Sequence, residues 1–470
     1  MRGINKRNKV RIKEFIIRHI TERVLIAAGI LILLYLLAAL YFTSHFFYGT
    51  VLNGVPVSLK SHKDVDKIME NHVQTYKLLL TERNGESEVL TGQDITLSQN
   101  ERNNIPRVYK NQKSYKWITA FFIPQKFYVD NLFLYDKVKL ADKIKALNCL
   151  NNKTIEPQNA SFRYKDGTYE AVAEVYGNKI RKDTLTKVIT AGIKKGAEIL
   201  NLEDNHCYEN PVYTLNSAKT RNTLEALNEF VKTSITYKFG TKRERLDGSI
   251  LNNWLIVDDN LDVVINRAEI MKYVKALSKK YDTVGINRSF QSSVGKVIEV
   301  KGGIYGWKLD KEEETEAIYH HILQGATVMK EPAYAQKAVS REGNEIGDTY
   351  VEINITRQHV WFYKDGKLLI HGPVVTGNPN RGNPTVVGAY MLNYKQNSAT
   401  LAGLNYKVVV KYWMPFYGNI GLHDASWRHT FGGEIYKNRG THGCVNAPLY
   451  LAKKIYENLE DGTPFISYEE

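Results

Sequence analysis

Residues Val24 to Thr43 form a run of twenty amino acids, VLIAAGILILLYLLAALYFT, without a single charge. A helix of that length crosses the hydrocarbon core of a bilayer, and it satisfies all of its own backbone hydrogen bonds there. The preceding residues 1–23 carry eight basic side chains (Arg2, Lys6, Arg7, Lys9, Arg11, Lys13, Arg18 and Arg23) against Glu14 and Glu22, so +6 of the net +14 lies in this tail. Basic flanks stay on the cytoplasmic side. The run is too long for the core of a cleaved signal peptide, and no small-x-small site follows Tyr41-Phe42-Thr43-Ser44-His45-Phe46-Phe47, whose aromatics suit a membrane interface. The expectation is a basic cytoplasmic tail over 1–23, a single-pass signal anchor over 24–43, and an extracellular chain from about residue 48. A buried helix of a soluble protein is the rival reading, but twenty residues without a charge are unusual for one. No nucleic-acid partner is expected despite the basic charge, because the anchor removes the chain from the cytosol.

At 470 residues the chain has room for about three domains. From Tyr48 to about Ala335 it mixes strand-like and helix-like pieces and carries a weak internal duplication. Tyr76-Lys77-Leu78, followed by Leu90-Thr91-Gly92, matches Tyr237-Lys238-Phe239, followed by Leu246-Asp247-Gly248. Val175-Tyr176-Gly177-Asn178-Lys179-Ile180 matches Ile304-Tyr305-Gly306-Trp307-Lys308-Leu309, and a helical stretch follows each, Lys182–Gly196 and Lys311–Gly325. The offset falls from 161 to 129 residues between the two matches, so the first copy is longer, and its surplus includes residues 100–150. Two tandem α+β modules, 48–215 and 216–335, account for this pattern. Cys149 and Cys207 lie in the first. Outside the membrane they are free to form a disulfide, which would leave Cys444 alone; two free buried thiols are the other reading.

A linker is expected over Pro332–Gly347. After it, Tyr350–Ile355 alternates polar and apolar residues, His359–Tyr363 follows, and Lys364-Asp365-Gly366-Lys367 makes a hairpin turn into Leu368–Ile370. Further β-type runs lie at Gly372–Val375, Gly388–Tyr394 and Lys407–Met414, with a helix at Leu449–Leu459. The last domain, 348–470, therefore reads as mostly β. No Gly-rich phosphate loop is present.

Within it lies Gly440-Thr441-His442-Gly443-Cys444-Val445-Asn446-Ala447-Pro448, holding one of only three cysteines, with Gly421-Leu422-His423-Asp424-Ala425 twenty-one residues upstream. A thiol attacks as its thiolate, and a nearby imidazole is the usual means of generating one at neutral pH. Gly443 leaves room for a substrate carbonyl, and the N–H groups of Gly443 and Cys444 are candidates for an oxyanion hole.

This pattern, His423 followed by Thr441-His442-Gly443-Cys444-Val445-Asn446, resembles the signature of the L,D-transpeptidases, the YkuD-type cysteine enzymes that cross-link peptidoglycan. The resemblance covers roughly 348–468, and the repeated modules resemble those described as peptidoglycan-binding in membrane-anchored Gram-positive members. Two departures stand out. Thr441 replaces a usual Ser, and Thr385-Val386-Val387-Gly388 replaces Thr-Pro-x-Gly, a loop change expected to touch no catalytic group. The resemblance implies a multidomain chain with an N-terminal transmembrane helix, two α+β modules and a YkuD-like β-sandwich. It implies Cys444 as nucleophile, His423 as proton carrier, and the backbone carbonyl of Asp424 orienting that imidazole, with Gly443 lending an oxyanion N–H. Thr441, His442 and Asn446 would contact substrate, and Trp413, Trp427 and Tyr436 would wall the cleft, a plain core position being the alternative for each aromatic. The implied reaction joins a tetrapeptide stem donor to an amine acceptor in 3-3 cross-links, through a thioester and with release of D-alanine. L,D-carboxypeptidase activity on the same stems is the alternative. No cofactor and no metal are implied, and carbapenems are expected inhibitors. The modules bind glycan or act only as spacers.

Other chemistries fit less well. His423, His429, His442 and Cys444 offer zinc ligands, but not at a compact spacing, and a metal would consume the thiol. A sortase needs an Arg after its Cys, and none follows Arg439. Papain-like and NlpC-type peptidases place Cys before His. A non-catalytic wall-binding anchor is the non-enzymatic reading, set against an intact His423 and Cys444.

Overall fold

The charge-free run is helical in the computed structural model, which describes residues 4–100, 102, 105–403 and 406–470. The helix is longer than the run. Helix α1 covers Ile4–Tyr41, 38 residues, and so takes in most of the basic tail. Lys, Arg and Glu are good helix formers, so nothing in the tail stops the helix at the first charge. Its apolar part is exposed almost throughout and is long enough to cross a membrane.

The chain divides into two compact units, residues 1–161 with 172–216, and residues 162–171 with 217–470. The first holds the first repeat. Its hairpin, Lys77–Thr81 and Ser87–Thr91, is joined by a parallel third strand, Ile199–Asn201. Helix Lys182–Lys195 precedes that third strand and buries Leu185, Ile189 and Ile193 against Leu78, Leu80 and Leu90. A capping box, Ser61 with Asp64, starts helix His62–Thr75.

The second repeat builds the same sheet in the second unit. Hairpin Ser234–Phe239 and Lys242–Leu246 takes the parallel strand Thr327–Lys330, again preceded by a helix, Lys311–Leu323. The duplication is therefore one of topology as well as sequence. Within this unit the hairpin Arg288–Gln291 and Val297–Val300 reaches from the repeat to the C-terminal domain. Ser293 in its turn donates from N–H and Oγ to the buried carboxylate of Glu352. Gly303 runs so close to Ala389 that a Cβ would lie 2.0 Å from its carbonyl oxygen, at φ +91°. Only glycine fits that approach. Residues 162–171, which precede the second repeat in sequence, also belong to this unit: Tyr169 exchanges hydrogen bonds with Asn228 at 2.7 and 3.0 Å.

The segment expected to be a linker is built into this unit. It contains a strand, Tyr334–Gln336, and Ile346 is 1% exposed. Glu345 in it is buried and pairs with the buried Arg288 at 2.7 Å.

The C-terminal domain has two sheets. Strands β1 (Tyr350–Asn354), β2 (His359–Lys364), β3 (Lys367–Pro373), β4 (Gly388–Met391) and β9 (Pro464–Tyr468) lie in the order β3-β2-β1-β9-β4. Strands β5 (Gln396–Gly403), β6 (Tyr406–Tyr417), β7 (Ile420–Asp424) and β8 (Val445–Ala447) follow one another in the second sheet. Val351, Val360 and Phe362 of one sheet meet Met414, Phe416 and Leu422 of the other, and helix α2 (Leu449–Asn458) adds Leu451, Ala452 and Ile455. The whole is multidomain: an apolar N-terminal helix, α+β repeats, and a mostly-β C-terminal domain.

The expected disulfide is absent. Cys149 and Cys207 are both free thiols within one apolar cluster. Cys207 directs its sulfur to the Asn205 carbonyl oxygen at 3.8 Å, whereas Cys149 lies beside Glu88 and Glu82. Burial and these two carboxylates push the Cys149 thiol up to about 12, the opposite of what oxidation through a thiolate favours. Unfolding without reductant should therefore expose three thiols per chain to maleimide. A mass shift showing one modified cysteine instead of three would restore the disulfide.

Candidate active site

Parallel pairing of β7 and β8 assembles the site. In this register His423 stands opposite Asn446, and on its other side it stands opposite Trp413 of β6. Cys444 lies immediately before β8 and opens into the same cleft as His423 and Asn446. A spacing of twenty-one residues thus becomes a neighbour relation. The three residues line one cleft of about 190 Å³, whose apolar wall comes from Leu401, Tyr406, Val408 and Trp427.

His423 is 3% exposed. Its Nδ1 lies 2.9 Å from the carbonyl oxygen of Asp424. A carbonyl only accepts, so Nδ1 carries the proton and Nε2 presents its lone pair. The Asp424 carboxylate is occupied elsewhere, accepting from the N–H groups of Lys411 and Tyr412, both at 2.8 Å. Burial holds the imidazole below its usual 6.5, against the pull of Asp424 and with help from the nearby Arg428 cation. The sulfur of Cys444 faces the carbonyl oxygen of Asn419 at 3.5 Å. Burial pushes this thiol up to about 11, with a backbone hydrogen bond from Gly421 acting against it. Burial thus disfavours the charged form of each group taken singly.

The loop before Cys444 is fixed by hydroxyls. Thr441 Oγ1 donates to the Cys444 carbonyl oxygen at 2.5 Å and accepts from Gly443 N–H at 3.0 Å. This corrects the expectation for Gly443. Its N–H is engaged inside the loop, and its own contribution is a backbone at φ +116° that puts Cys444 in place. Thr385 Oγ1 donates to the Gly443 carbonyl oxygen at 2.7 Å while accepting from Gly377 N–H at 2.9 Å. The loop expected to touch no catalytic group therefore buttresses the residue beside the thiol. Thr441→Ser keeps both Thr441 hydrogen bonds and should be near neutral. Thr441→Val strands a donor and an acceptor, and should cost about 1–3 kcal/mol in a denaturant titration. Equal midpoints for the two variants would contradict this account.

The remaining expected contacts divide. Asn446 lines the cleft, and its Oδ1 is buried without a partner among the described residues. Trp427 lines it too, 44% exposed and 6.1 Å from the imidazole. His442 is exposed and stacks on Tyr406 at 4.8 Å. Trp413 and Tyr436, by contrast, do not border the cleft. Trp413 is buried with Ala399 and Val410, its ring 5.7 Å behind His423. Tyr436 packs against the domain core. Tyr436 sits on the short helix Ile435–Arg439, and Trp413 is taken up by packing with Ala399 and Val410. Sequence reasoning overlooked Arg428, although it adjoins Trp427. It lines the cleft half-buried, Nη2 donates to the Arg439 carbonyl oxygen at 2.8 Å, and Nε has no partner among the described residues.

A family model described as L,D-transpeptidase catalytic domain matches residues 348–466, and one for a peptidoglycan-binding domain matches 89–199 and 213–329. A solved Enterococcus faecium L,D-transpeptidase carrying a cysteine-to-serine substitution is 31% identical, over 53% of this chain and 100% of that chain, with a TM-score of 0.43. The Ldtfm–avibactam carbamoyl enzyme is 31% identical over 53% of this chain and 99% of that one, also at 0.43. The catalytic domain of the E. faecium L,D-transpeptidase acylated by ertapenem is 38% identical, over 26% and 97%, at 0.24. No curated protein matches. The chain belongs to the L,D-transpeptidase family.

Proposed function

We propose that this protein is a membrane-anchored cysteine acyltransferase that forms 3-3 cross-links in peptidoglycan outside the cell. The observation that carries this is the buried His423, fixed by the Asp424 carbonyl and set across a parallel strand pair from the Cys444–Asn446 stretch. The Cys444 sulfur attacks the carbonyl of the third residue of a tetrapeptide stem while His423 Nε2 takes the thiol proton. The S–C bond forms, the bond to D-alanine breaks, and the imidazolium returns its proton to the leaving amine. An amine of a second stem then attacks the thioester, gives its proton to His423, and releases the thiol. The N–H of Cys444 is the oxyanion donor in this reading. Asn446 Oδ1 accepts from a substrate N–H, and Arg428 meets a carboxylate of the donor, since a half-buried guanidinium calls for an anion. Residues 1–23 lie in the cytoplasm and the repeats outside; the second repeat's fixed seat on the catalytic domain supports a role in placing that domain.

The test is mass spectrometry of the products from a defined tetrapeptide, supplied as free acid and as C-terminal amide. A cross-linked dimer and free D-alanine are expected from the acid, with slower turnover of the amide. Tripeptide without dimer identifies carboxypeptidase activity, and no release of D-alanine refutes the reaction.

The pH profile follows from the lowered basicity of the buried imidazole. His423 must be unprotonated to act, and its folded value lies below 6.5. The rate of Cys444 acylation at low donor concentration, which reports the free enzyme, should therefore fall on acidification with its midpoint below pH 6.5. A midpoint above pH 6.5 contradicts the assigned base.

A further inference from the structure

The first repeat's insertion contains a 3-10 helix, Ser114–Phe121, that displays large apolar side chains. Tyr115, Ile118 and Phe121 are each about half exposed, Ile123 is 62% and Phe122 82% exposed. A contiguous set of this kind is costly in water and marks a contact surface.

The segment is fixed against the outer end of α1. Trp117 stacks on Phe42 at 5.9 Å and tilts against Tyr35 at 5.7 Å, and the Tyr35 hydroxyl donates to the Tyr115 carbonyl oxygen. Phe42, Phe47 and Ala120 close a small buried cluster with Trp117. Gln112 clamps the turn after α1, with Nε2 donating to the His45 carbonyl oxygen at 2.8 Å and Oε1 accepting from Phe47 N–H at 3.2 Å. The apolar patch therefore continues the apolar surface of the helix.

The helix also sets the depth of the patch. Tyr35 lies six residues inside the end of α1 at Tyr41, about 9 Å along the axis at the usual rise. Interfacial segments bury their apolar faces to about 5–10 Å. Lys110, Lys113, Lys116 and Lys126 flank the patch and are exposed. Between residues 105 and 130 there are five basic residues and one acidic residue. That mixture suits the boundary between anionic headgroups and acyl chains.

We propose that residues 114–123 dip into the outer leaflet beside the anchor and seat the first repeat on the membrane surface, a second membrane contact that rests on reading α1 as membrane-spanning. The partner is the lipid bilayer itself, recognised by aromatic insertion and lysine–headgroup attraction. The anchor then holds the first repeat at a set height, and not on a loose tether.

The test is photocrosslinking of the full chain in vesicles of phosphatidylglycerol and phosphatidylcholine. Benzoylphenylalanine replaces Phe122 in one sample and Val212 in another. Val212 is 76% exposed in the same unit but outside the patch. After irradiation and proteolysis, lipid-mass adducts at position 122 should exceed those at 212 at least tenfold. Equal yields, or crosslinks from position 122 to a second copy of the chain in place of lipid, overturn the proposal. Alkaline carbonate extraction reports the anchor separately. A chain retained by the vesicles without lipid adducts at 122 refutes the patch and keeps the anchor. A chain that carbonate releases, yet which carries those adducts, refutes the anchor and keeps the patch as an interfacial contact.

Discussion

Cys444→Ala will abolish D-alanine release and transfer together, because the variant lacks the atom that carries the acyl group. His423→Ala will cost nearly as much, and the double variant little more, since nucleophile and base act as a unit. A loss of at least about a thousandfold is expected for each, on the scale seen when one member of such a pair is removed. Neither variant should lower stability much. The Cys444 sulfur makes only a long contact with the Asn419 carbonyl and a backbone hydrogen bond from Gly421, and the Asp424 carboxylate keeps its own partners when the imidazole is removed. Incubation with a carbapenem should add the drug's mass to the wild type and not to Cys444→Ala. Equal uptake, or D-alanine release by the alanine variant, would falsify the assignment of the nucleophile.

Glu345→Ala should destabilise the second unit by about 3–5 kcal/mol, the cost of leaving one charge of a buried pair uncompensated. Arg288 and Glu345 are 2% and 8% exposed at their side chains and meet at 2.7 Å. Glu345 also accepts from Thr283 Oγ1 at 2.7 Å, and Arg288 donates to the carbonyl oxygens of Ile286 and Thr283. Removing the carboxylate strands a guanidinium whose other bonds go to neutral carbonyls. Glu345→Gln retains the shape and an acceptor, and should cost less. Urea unfolding followed by tryptophan fluorescence measures the difference. A Glu345→Ala midpoint within about 0.5 kcal/mol of wild type, the usual range for an unimportant surface site, would show that the pair does not hold this junction.

The site's chemistry is legible in the sequence because it depends on residue type and short spacing. A rare thiol among small residues, a histidine upstream of it, and a twenty-residue stretch without charge each restrict the chain wherever it folds. The same holds for the repeat in outline: the two sheets connect identically and Leu90 and Leu246 stand opposite Leu78 and Ile235, although the matched Tyr-Lys pairs fall at different registers of the two hairpins. What sequence reasoning misjudged was in each case a partner choice. Whether Gly443 N–H faces a substrate or Thr441 depends on how a loop closes. Whether Trp413 walls the cleft or is buried with Ala399 and Val410 depends on how β5 and β6 pack. Cys149 and Cys207 share an apolar cluster yet stay unpaired, because proximity along a core does not align two sulfurs. Thr385, fifty-nine residues before Cys444, reaches its loop only through tertiary packing. The candidate nucleophile, its candidate base and the apolar helix thus follow from the residues alone, since each is a property of side chains that travels with the chain. The imidazole's tautomer, its lowered basicity and the seat of the second repeat on the catalytic domain arise only in the folded molecule, because burial and long-range hydrogen bonds exist only once distant strands have met.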